Sequence, residues 1–188
     1  MGAGSTTIQG NTPTTLTTFD ASKATGAVTA DMSNATAANQ TIKGGTANDT
    51  LTVDLSKNIT LDAGAGDDTV TLNNATAANL SSLTGTADSI KGGAGTDTLS
   101  MTAVGAASLA GDTVADRAAI TEFEALRIDT INTDTDAGTT TKDFDISKFG
   151  LNTLQLNSAI TDDQAATAQT LTVSGFTSGA TVEFRAAA

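Results

Sequence analysis

Three short segments of this chain end a glycine-containing turn with an aspartate, a pattern that brings carboxylate and backbone carbonyl oxygens together. Residues 44–49 and 92–97 both begin with Gly-Gly and end with Asp, and an aliphatic residue follows two positions later. Residues 63–68 share the pattern except for Ala63 in first position, and residues 83–88 follow it more loosely. Glycine tolerates positive φ, which lets turn carbonyls point inward. Such oxygen atoms are the ligands of Ca²⁺, which takes roughly six to eight of them.

Large aliphatic residues recur through the same region at steps of 9 or 10 residues. They are Ile42, Leu51, Leu61, Val70, Leu80, Ile90 and Leu99. The hexapeptide Asn-Ala-Thr-Ala-Ala-Asn also occurs twice, at 34–39 and 74–79. One short strand plus one turn needs about nine or ten residues, so two such units make one coil of a flattened β-solenoid. The spacing therefore predicts a stack of such coils.

The composition favours strands and turns over helices and excludes several classes of function. The 188 residues include 18 Asp but only 3 Glu, and Asp favours turns where Glu favours helices. Since the chain has no His and no Cys, the usual zinc ligands, Ser-His-Asp or Cys-His nucleophiles and disulfides are excluded. The net charge of −12 would repel a nucleic-acid backbone. No apolar stretch approaches the ~18 residues of a membrane-spanning helix.

The residue numbers predict which turns stack on one another. If successive turns alternate between the two edges of the solenoid, Asp49, Asp68 and Asp88 share one edge at steps of 19 and 20 residues. The equivalent positions on the opposite edge are Gln40, Ile59, Ala78 and Asp97. These turns resemble the calcium-binding turns of RTX proteins, in which each ion is shared between turns stacked one coil apart. The resemblance therefore implies one calcium site between turns 44–49 and 63–68, and a second between turns 63–68 and 83–88. A third would join Asp97 to backbone carbonyls of 73–78.

The candidate calcium ligands are four carboxylates and six residues of the turn backbone. The carboxylates are those of Asp49, Asp68, Asp88 and Asp97. The backbone positions are Gly44, Thr46, Ala63, Ala65, Gly92 and Ala94. The alternative is an all-β solenoid whose turns hold no ion. Aspartates stacked without a cation would repel one another, which favours the calcium hypothesis.

The turns resemble the calcium-binding nonapeptides of RTX proteins, whose pattern is G-G-x-G-x-D-x-U-x. The resemblance covers residues 40–101, with Ala47 and Ala63 where the pattern has glycine. Together with the segment Ile-Thr-Glu-Phe-Glu-Ala-Leu-Arg-Ile at 120–128, it is similar to bacterial surface-layer (S-layer) proteins built on RTX repeats. This likeness implies an all-β fold, a right-handed parallel β-solenoid (RTX-like β-roll) with flanking short-strand segments. We divide the chain into a strand-rich flank at 1–33, a calcium-binding β-roll at 34–101, and a β-rich continuation at 102–188.

The flanks carry three weaker motifs. Phe-Asp-x-Ser-Lys occurs at 19–23 and 144–148, and each copy predicts a strand entering a turn with its Phe in the core. Residues 115–121 are compatible with a short helical turn. Residues 132–143 resemble the start of an EF-hand loop, but Ala137 replaces the glycine of the sixth position. A solvated turn is the preferred interpretation there.

These patterns predict a structural calcium-binding component of a bacterial surface layer, in which Ca²⁺ rigidifies the solenoid and promotes self-association into a lattice. Such a protein would be extracellular, on the cell surface or secreted, and would reach any cell-surface polysaccharide through regions not in this chain. No signal peptide is visible at the N-terminus, and both ends look like those of a fragment. The alternative is the RTX segment of a large secreted adhesin. We expect no catalysis, because Asp67/Asp68 and Glu122/Glu124 have no nucleophile beside them.

Overall fold

A computed structural model of the chain is built almost entirely from short β-strands. It describes residues 4–8, 14–80, 83, 88–102, 105–106, 118–132, 141–145, 151–157, 160–161, 170–176 and 178–184. The strands are β1 Thr6–Ile8, β2 Thr18–Asp20, β3 Val28–Asp31, β4 Asn39–Lys43, β5 Thr50–Asp54, β6 Asn58–Asp62, β7 Thr69–Asn73, β8 Ser89–Lys91, β9 Thr98–Thr102, β10 Ile120–Thr121, β11 Ala125–Asn132, β12 Thr141–Asp145, β13 Thr153–Leu156, β14 Ile160–Thr161, β15 Thr170–Ser174 and β16 Thr181–Phe184. One helical turn, α1, spans Ala77–Leu80.

The strands form two main parallel sheets, and from β1 to β10 the chain passes from one sheet to the other. The first sheet has the order β1-β3-β5-β7-β9-β11-β13-β16, with β14 also paired to β11, and the second has the order β10-β8-β6-β4-β2. Each strand therefore pairs with the strand one coil later, and all of these pairings are parallel. A separate two-stranded sheet joins β12 to β15. The architecture confirms an all-β parallel solenoid.

The core lies between the two main sheets because the side chains of each strand alternate between its faces. Leu51 and Val53 on β5 are buried, whereas Thr50 is exposed. The parallel register then stacks aliphatic side chains into rows that cross the coils. One such row contains Leu51, Val70, Leu99, Leu126 and Leu154. Three of the predicted aliphatic residues belong to the second sheet, where Ile42, Leu61 and Ile90 form its central row.

The coils differ in length, contrary to the regular spacing expected from the sequence. Leu51 pairs with Val70, 19 residues later, but Val70 pairs with Leu99, 29 residues later. The ten additional residues include α1, so Leu80 belongs to a helical turn rather than to a strand. The expected regular alternation of turns between edges is therefore wrong beyond residue 73, because one half-coil has been added outside the stack.

Outcomes in the flanks follow from the strand assignments. Both Phe-Asp-x-Ser-Lys motifs do begin in strands, β2 and β12, and Phe19 packs partly buried against the core. The helical turn expected at 115–121 is not found in its described part, where residues 120–121 form β10. Most of the EF-hand-like segment at 132–143 lies outside the described residues. Within the part of the chain that the structure describes, no helix is long and apolar enough to cross a membrane.

Candidate metal centre

The parallel register places Asp49, Asp68 and Asp97 in one row at one edge of the solenoid. Thr50 pairs with Thr69 and Thr69 with Thr98, so the aspartates that precede these threonines are stacked one coil apart. The same register continues to β11, where Ala125 pairs with Thr98. Glu124, which precedes Ala125, therefore becomes the fourth carboxylate of the row. We call Asp49, Asp68, Asp97 and Glu124 the carboxylate ladder.

Asp88 does not belong to this ladder, which corrects the predicted second site. It precedes β8 in the second sheet, and its Oδ1 accepts a hydrogen bond of 2.6 Å from the Ile59 N–H on the opposite edge. The predicted pairing of Asp97 with carbonyls of 73–78 is also wrong, because Asp97 stacks on Asp68. Both errors have one physical cause. The helical insertion before β8 shifts every later turn by half a coil relative to an even count.

Hydrogen bonds join each carboxylate of the ladder to the coil before it. The Asp68 Oδ1 accepts the Asp49 N–H at 2.7 Å, and the Asp97 Oδ1 accepts the Asp68 N–H at 2.8 Å. Asp49 begins the series by accepting the Val28 N–H at 2.8 Å through Oδ1 and the Gly45 N–H at 2.6 Å through Oδ2. Every carboxylate therefore points toward the preceding coil and lies beside the next carboxylate of the same sign.

The turns between the sheets stack as closely as the ladder does, which explains their glycines. Gly64 and Gly93 have φ of 109° and 107°, and a Cβ on Gly93 would overlap the Gly64 carbonyl oxygen. The Ala65 N–H donates to the Gly45 carbonyl at 3.1 Å, and the Ala94 N–H donates to the Gly64 carbonyl at 2.9 Å. Only glycine allows this approach of one backbone to another at positive φ.

The six predicted backbone positions lie together at this edge, although Gly92 and Ala94 were expected on the opposite edge. Gly44, Ala63 and Gly92 each follow directly on paired strand residues, and a Cβ on Gly44 would overlap the Ala63 carbonyl oxygen. Ala65 and Ala94 form an isolated parallel bridge. The Ala94 carbonyl accepts the Gly66 N–H at 2.9 Å, and the Thr46 N–H donates to the Ala24 carbonyl at 3.1 Å. The structure thus brings these positions together, while some of their polar groups already form hydrogen bonds between turns.

Two oxygen atoms of the ladder are buried without a partner. Asp68 and Asp97 are 1% and 0% exposed, and within the described part of the chain the Oδ2 atom of each has no hydrogen-bond donor. Burial, together with the neighbouring Asp49 and Asp97 carboxylates, raises the pKa of Asp68 to about 7. Burial and the Glu124 carboxylate likewise raise the pKa of Asp97. Buried acidic oxygens without a donor carry a large desolvation cost, which a bound cation or a proton would relieve.

The ladder fits a cation that accepts oxygen ligands from both side chains and backbone. Within the described ranges, no three acidic side chains converge as a preformed metal site. Each step of the ladder instead offers two carboxylates, and turn carbonyls lie close by. Ca²⁺ accepts this mixture because its coordination is flexible and draws on carboxylates, carbonyls and water. The chain has no His and no Cys, which supply the nitrogen and sulfur ligands of most Zn²⁺ sites.

A second kind of turn was missed in the sequence. Asp20, Asp31 and Asp54 each end a strand, and each accepts through Oδ1 the backbone N–H two residues later, from Ser22, Ser33 and Ser56 respectively. The residue between Asp and Ser fills the core, as fully buried Met32 and Leu55 show. The repeated Asp-x-Ser triplet was the available signal, since such Asx turns satisfy the backbone as a strand ends.

Comparison of the chain with protein-family models, with curated proteins and with solved structures found no match. The functional argument therefore depends on the geometry of the ladder and its turns.

Proposed function

We propose that this chain is a calcium-stabilised structural β-solenoid that serves as a component of a bacterial surface layer. The observation that carries the proposal is the carboxylate ladder. Its two central members, Asp68 and Asp97, are buried and lie one coil apart. Each has an Oδ2 atom for which the described residues provide no hydrogen-bond donor. A fold selected for stability alone has no reason to bury such a row of like charges.

The treatment of exposed charges in the same molecule supports this interpretation. On the outer face of the second sheet, the register pairs Asp20 with Lys43, Lys43 with Asp62, and Asp62 with Lys91. The signs therefore alternate along that row. The Lys91 Nζ also lies 3.6 Å from the Glu122 Oε1. Opposite charges thus face each other in this exposed row, whereas the ladder contains only negative side chains. Because like charges on adjacent strands are destabilising, the ladder favours a bound cation that neutralises it.

Bound calcium would neutralise the ladder and tie adjacent coils together. Asp68 and Asp97 would hold an ion with the stacked turn backbone, and Asp49 and Asp68 would hold another. The chain's own hydrogen bonds already fix the orientation of these carboxylates, so little ordering remains for the ion to impose. Because binding of this kind favours the folded state over the unfolded chain, stability should rise with calcium concentration. Calcium is plentiful outside cells, which agrees with a role at the cell surface.

Self-association is supported by the edge strands of the first sheet. Among the described strands, β1 and β16 each pair on one side only, and such edge strands present backbone groups that a neighbouring strand can pair with. Val182 and Phe184 on β16 are 40% and 82% exposed. They continue the rows of Leu154 and Leu156, which are buried in the core. An apolar edge of this type suits pairing with another copy in a structural array.

Calcium titration with two readouts tests the proposal. Far-UV circular dichroism should report a rise in β-structure or in melting temperature as calcium is added, and excess chelator should reverse it. Sedimentation velocity at matched ionic strength should show larger species in CaCl₂ than in NaCl, since screening alone acts equally in both. A monomer in both salts, with calcium-dependent melting, would favour the segment of a secreted adhesin. A spectrum and melting temperature that ignore calcium would overturn the proposal.

A further inference from the structure

The segment 122–124 occupies the place of a calcium turn although it contains no glycine. Lys91 pairs with Thr121 on one side, and Thr98 pairs with Ala125 on the other. The six residues 92–97 are therefore matched one coil later by only three residues, Glu-Phe-Glu. The chain still has to pass from the second sheet to the first along the same edge, and it does so with half as many residues.

The backbone of Glu122 makes this short connection possible. Glu122 has φ of 62°, a left-handed conformation that is uncommon for a residue other than glycine. Its carbonyl oxygen presses against Gly92, where a Cβ would overlap it. The Ala63 carbonyl presses against Gly44 in the same manner two coils earlier. Phe123, which is 8% exposed, anchors the turn in the core. The strained conformation therefore presents a carbonyl at the position that the glycine turns use.

The Glu124 side chain makes the contact that aspartate makes elsewhere in the ladder. Its Oε2 accepts the Asp97 N–H at 2.7 Å, against 2.7 Å for the corresponding bond from Asp49 to Asp68 and 2.8 Å for that from Asp68 to Asp97. Glutamate is one methylene longer than aspartate, which compensates for the shorter turn. One coil before Glu124, the buried Oδ2 atom of Asp97 has no hydrogen-bond donor among the described residues.

We propose that residues 122–124 form an additional, glycine-free cation-binding turn, in which Asp97, Glu124 and the Glu122 carbonyl bind a hard divalent cation. The inference rests on the proposed function, because it assigns Ca²⁺ to one more step of the same ladder. It places this site at the boundary between the glycine-turn region and the later coils. The step from 97 to 124 would thus be stapled in the same way as the steps before it.

The variant Glu124→Gln tests the assignment with little disturbance to the fold. The amide oxygen of glutamine can still accept the Asp97 N–H, while the negative charge is removed. The matched control is Glu183→Gln, which makes the same substitution on β16, outside the carboxylate ladder. Native mass spectrometry and isothermal titration with CaCl₂ in chelator-treated buffer give the number of ions bound per chain. Circular dichroism in calcium verifies that both variants are folded.

We expect Glu124→Gln to bind one Ca²⁺ fewer than the wild type, and Glu183→Gln to bind the wild-type number. If the wild type binds calcium and Glu124→Gln binds the same number with the same affinity, the additional site is wrong while the proposed function stands. An equal loss in both glutamine variants would also overturn it, because general charge would then be the cause. If the wild type itself binds no calcium, the proposed function fails first.

Discussion

Replacing Asp68 with asparagine should change the stability of the protein in opposite directions without and with calcium. Asp68 is 1% exposed, and its Oδ1 accepts a hydrogen bond from the Asp49 N–H. Its Oδ2 has no hydrogen-bond donor among the residues that the structure describes. Burial, together with the Asp49 and Asp97 carboxylates, raises its pKa from 3.8 to about 7. Asparagine retains an oxygen for the Asp49 N–H but removes the charge that calcium would neutralise.

The magnitude follows from proton linkage. Between pH 3.8 and about 7, the metal-free folded state holds a proton on Asp68 that the unfolded chain has released. The contribution of Asp68 to stability in chelator is therefore most favourable below pH 3.8 and falls as the pH rises toward 7. At about 1.36 kcal/mol per factor of ten, the total loss above pH 7 is about 4 kcal/mol. The buried amide NH₂ of asparagine costs about 1–3 kcal/mol, which leaves a net gain of about 1–3 kcal/mol for Asp68→Asn.

Thermal unfolding in chelator and in calcium, at about pH 5 and about pH 8, measures this effect. In chelator at the higher pH, the variant should melt about 2–12 °C above the wild type, given roughly 2–4 °C per kcal/mol for a chain of this size. At the lower pH the difference in melting temperature should nearly vanish. Wild-type Asp68 is then protonated in the folded state, so only a small part of its electrostatic cost remains and the cost of the buried amide offsets it. In saturating calcium the order should reverse, since the variant has lost a ligand.

The matched control is Asp62→Asn, which removes an exposed carboxylate from between Lys43 and Lys91. Its effect should stay below about 1 kcal/mol in either medium, as for other exposed ion pairs. If Asp68→Asn destabilises the protein equally in chelator and in calcium, the carboxylate has no electrostatic cost that a cation relieves. That result would refute the reasoning from which the calcium site was inferred.

Three further perturbations test the placement of the ions and of the turns. Asp68→Ala should lower calcium affinity, measured by titration calorimetry, much more than Asp134→Ala in the EF-hand-like segment; similar losses would show that the ions are misplaced. Gly93→Ala should lower the free energy of unfolding in urea by about 3 kcal/mol or more, because its Cβ would meet the Gly64 carbonyl at positive φ. Gly179 also has a positive φ, of 88°, but no described residue lies within 4 Å of where its Cβ would be, so Gly179→Ala should lower the free energy of unfolding by only about 1–2 kcal/mol. Equal losses in the two variants would contradict the close stacking of the turns. Leu72→Ala should cost about 2–5 kcal/mol whether or not calcium is present; a calcium-dependent loss would mean that the core forms only around the ions.

Local chemistry alone determined the elements of this protein. Alternating threonine and aliphatic residues specify strands with one buried face, as in β5 with Leu51 and Val53. Glycine before aspartate specifies the tight turns, because a Cβ at Gly64 or Gly93 would be strained whatever surrounds it. The all-β solenoid and the stacking of turns 44–49 and 63–68 at one edge were therefore predictable from residue types and their spacing, whereas turn 92–97 was expected on the opposite edge.

Identical local sequence nevertheless gave two different structures. The hexapeptide Asn-Ala-Thr-Ala-Ala-Asn runs irregularly into β4 at 34–39, but at 74–79 it leads into α1. After the first copy, the buried Gln40 side chain donates to the Ala35 and Ala37 carbonyls. After the second copy stands Leu80, which has no such donor, and the Asn79 side chain donates to the Asn74 carbonyl instead. Contacts outside the repeated residues thus decide between a strand entry and a helical insertion.

Which carboxylates stack on adjacent coils depends on the tertiary structure. The partner of Asp68 is set by the number of residues in the next coil, and the insertion at 77–80 makes that partner Asp97 rather than Asp88. Glu124 joins the same row from a segment with no glycine pattern, because a shorter turn and a longer side chain reach the same N–H. The chemistry of a side chain is set by its own residue type. The residue that stacks on it one coil later depends on how many residues the intervening coil contains. The sequence therefore predicted the kind of site, and the stacking of the coils determined which carboxylates form the ladder.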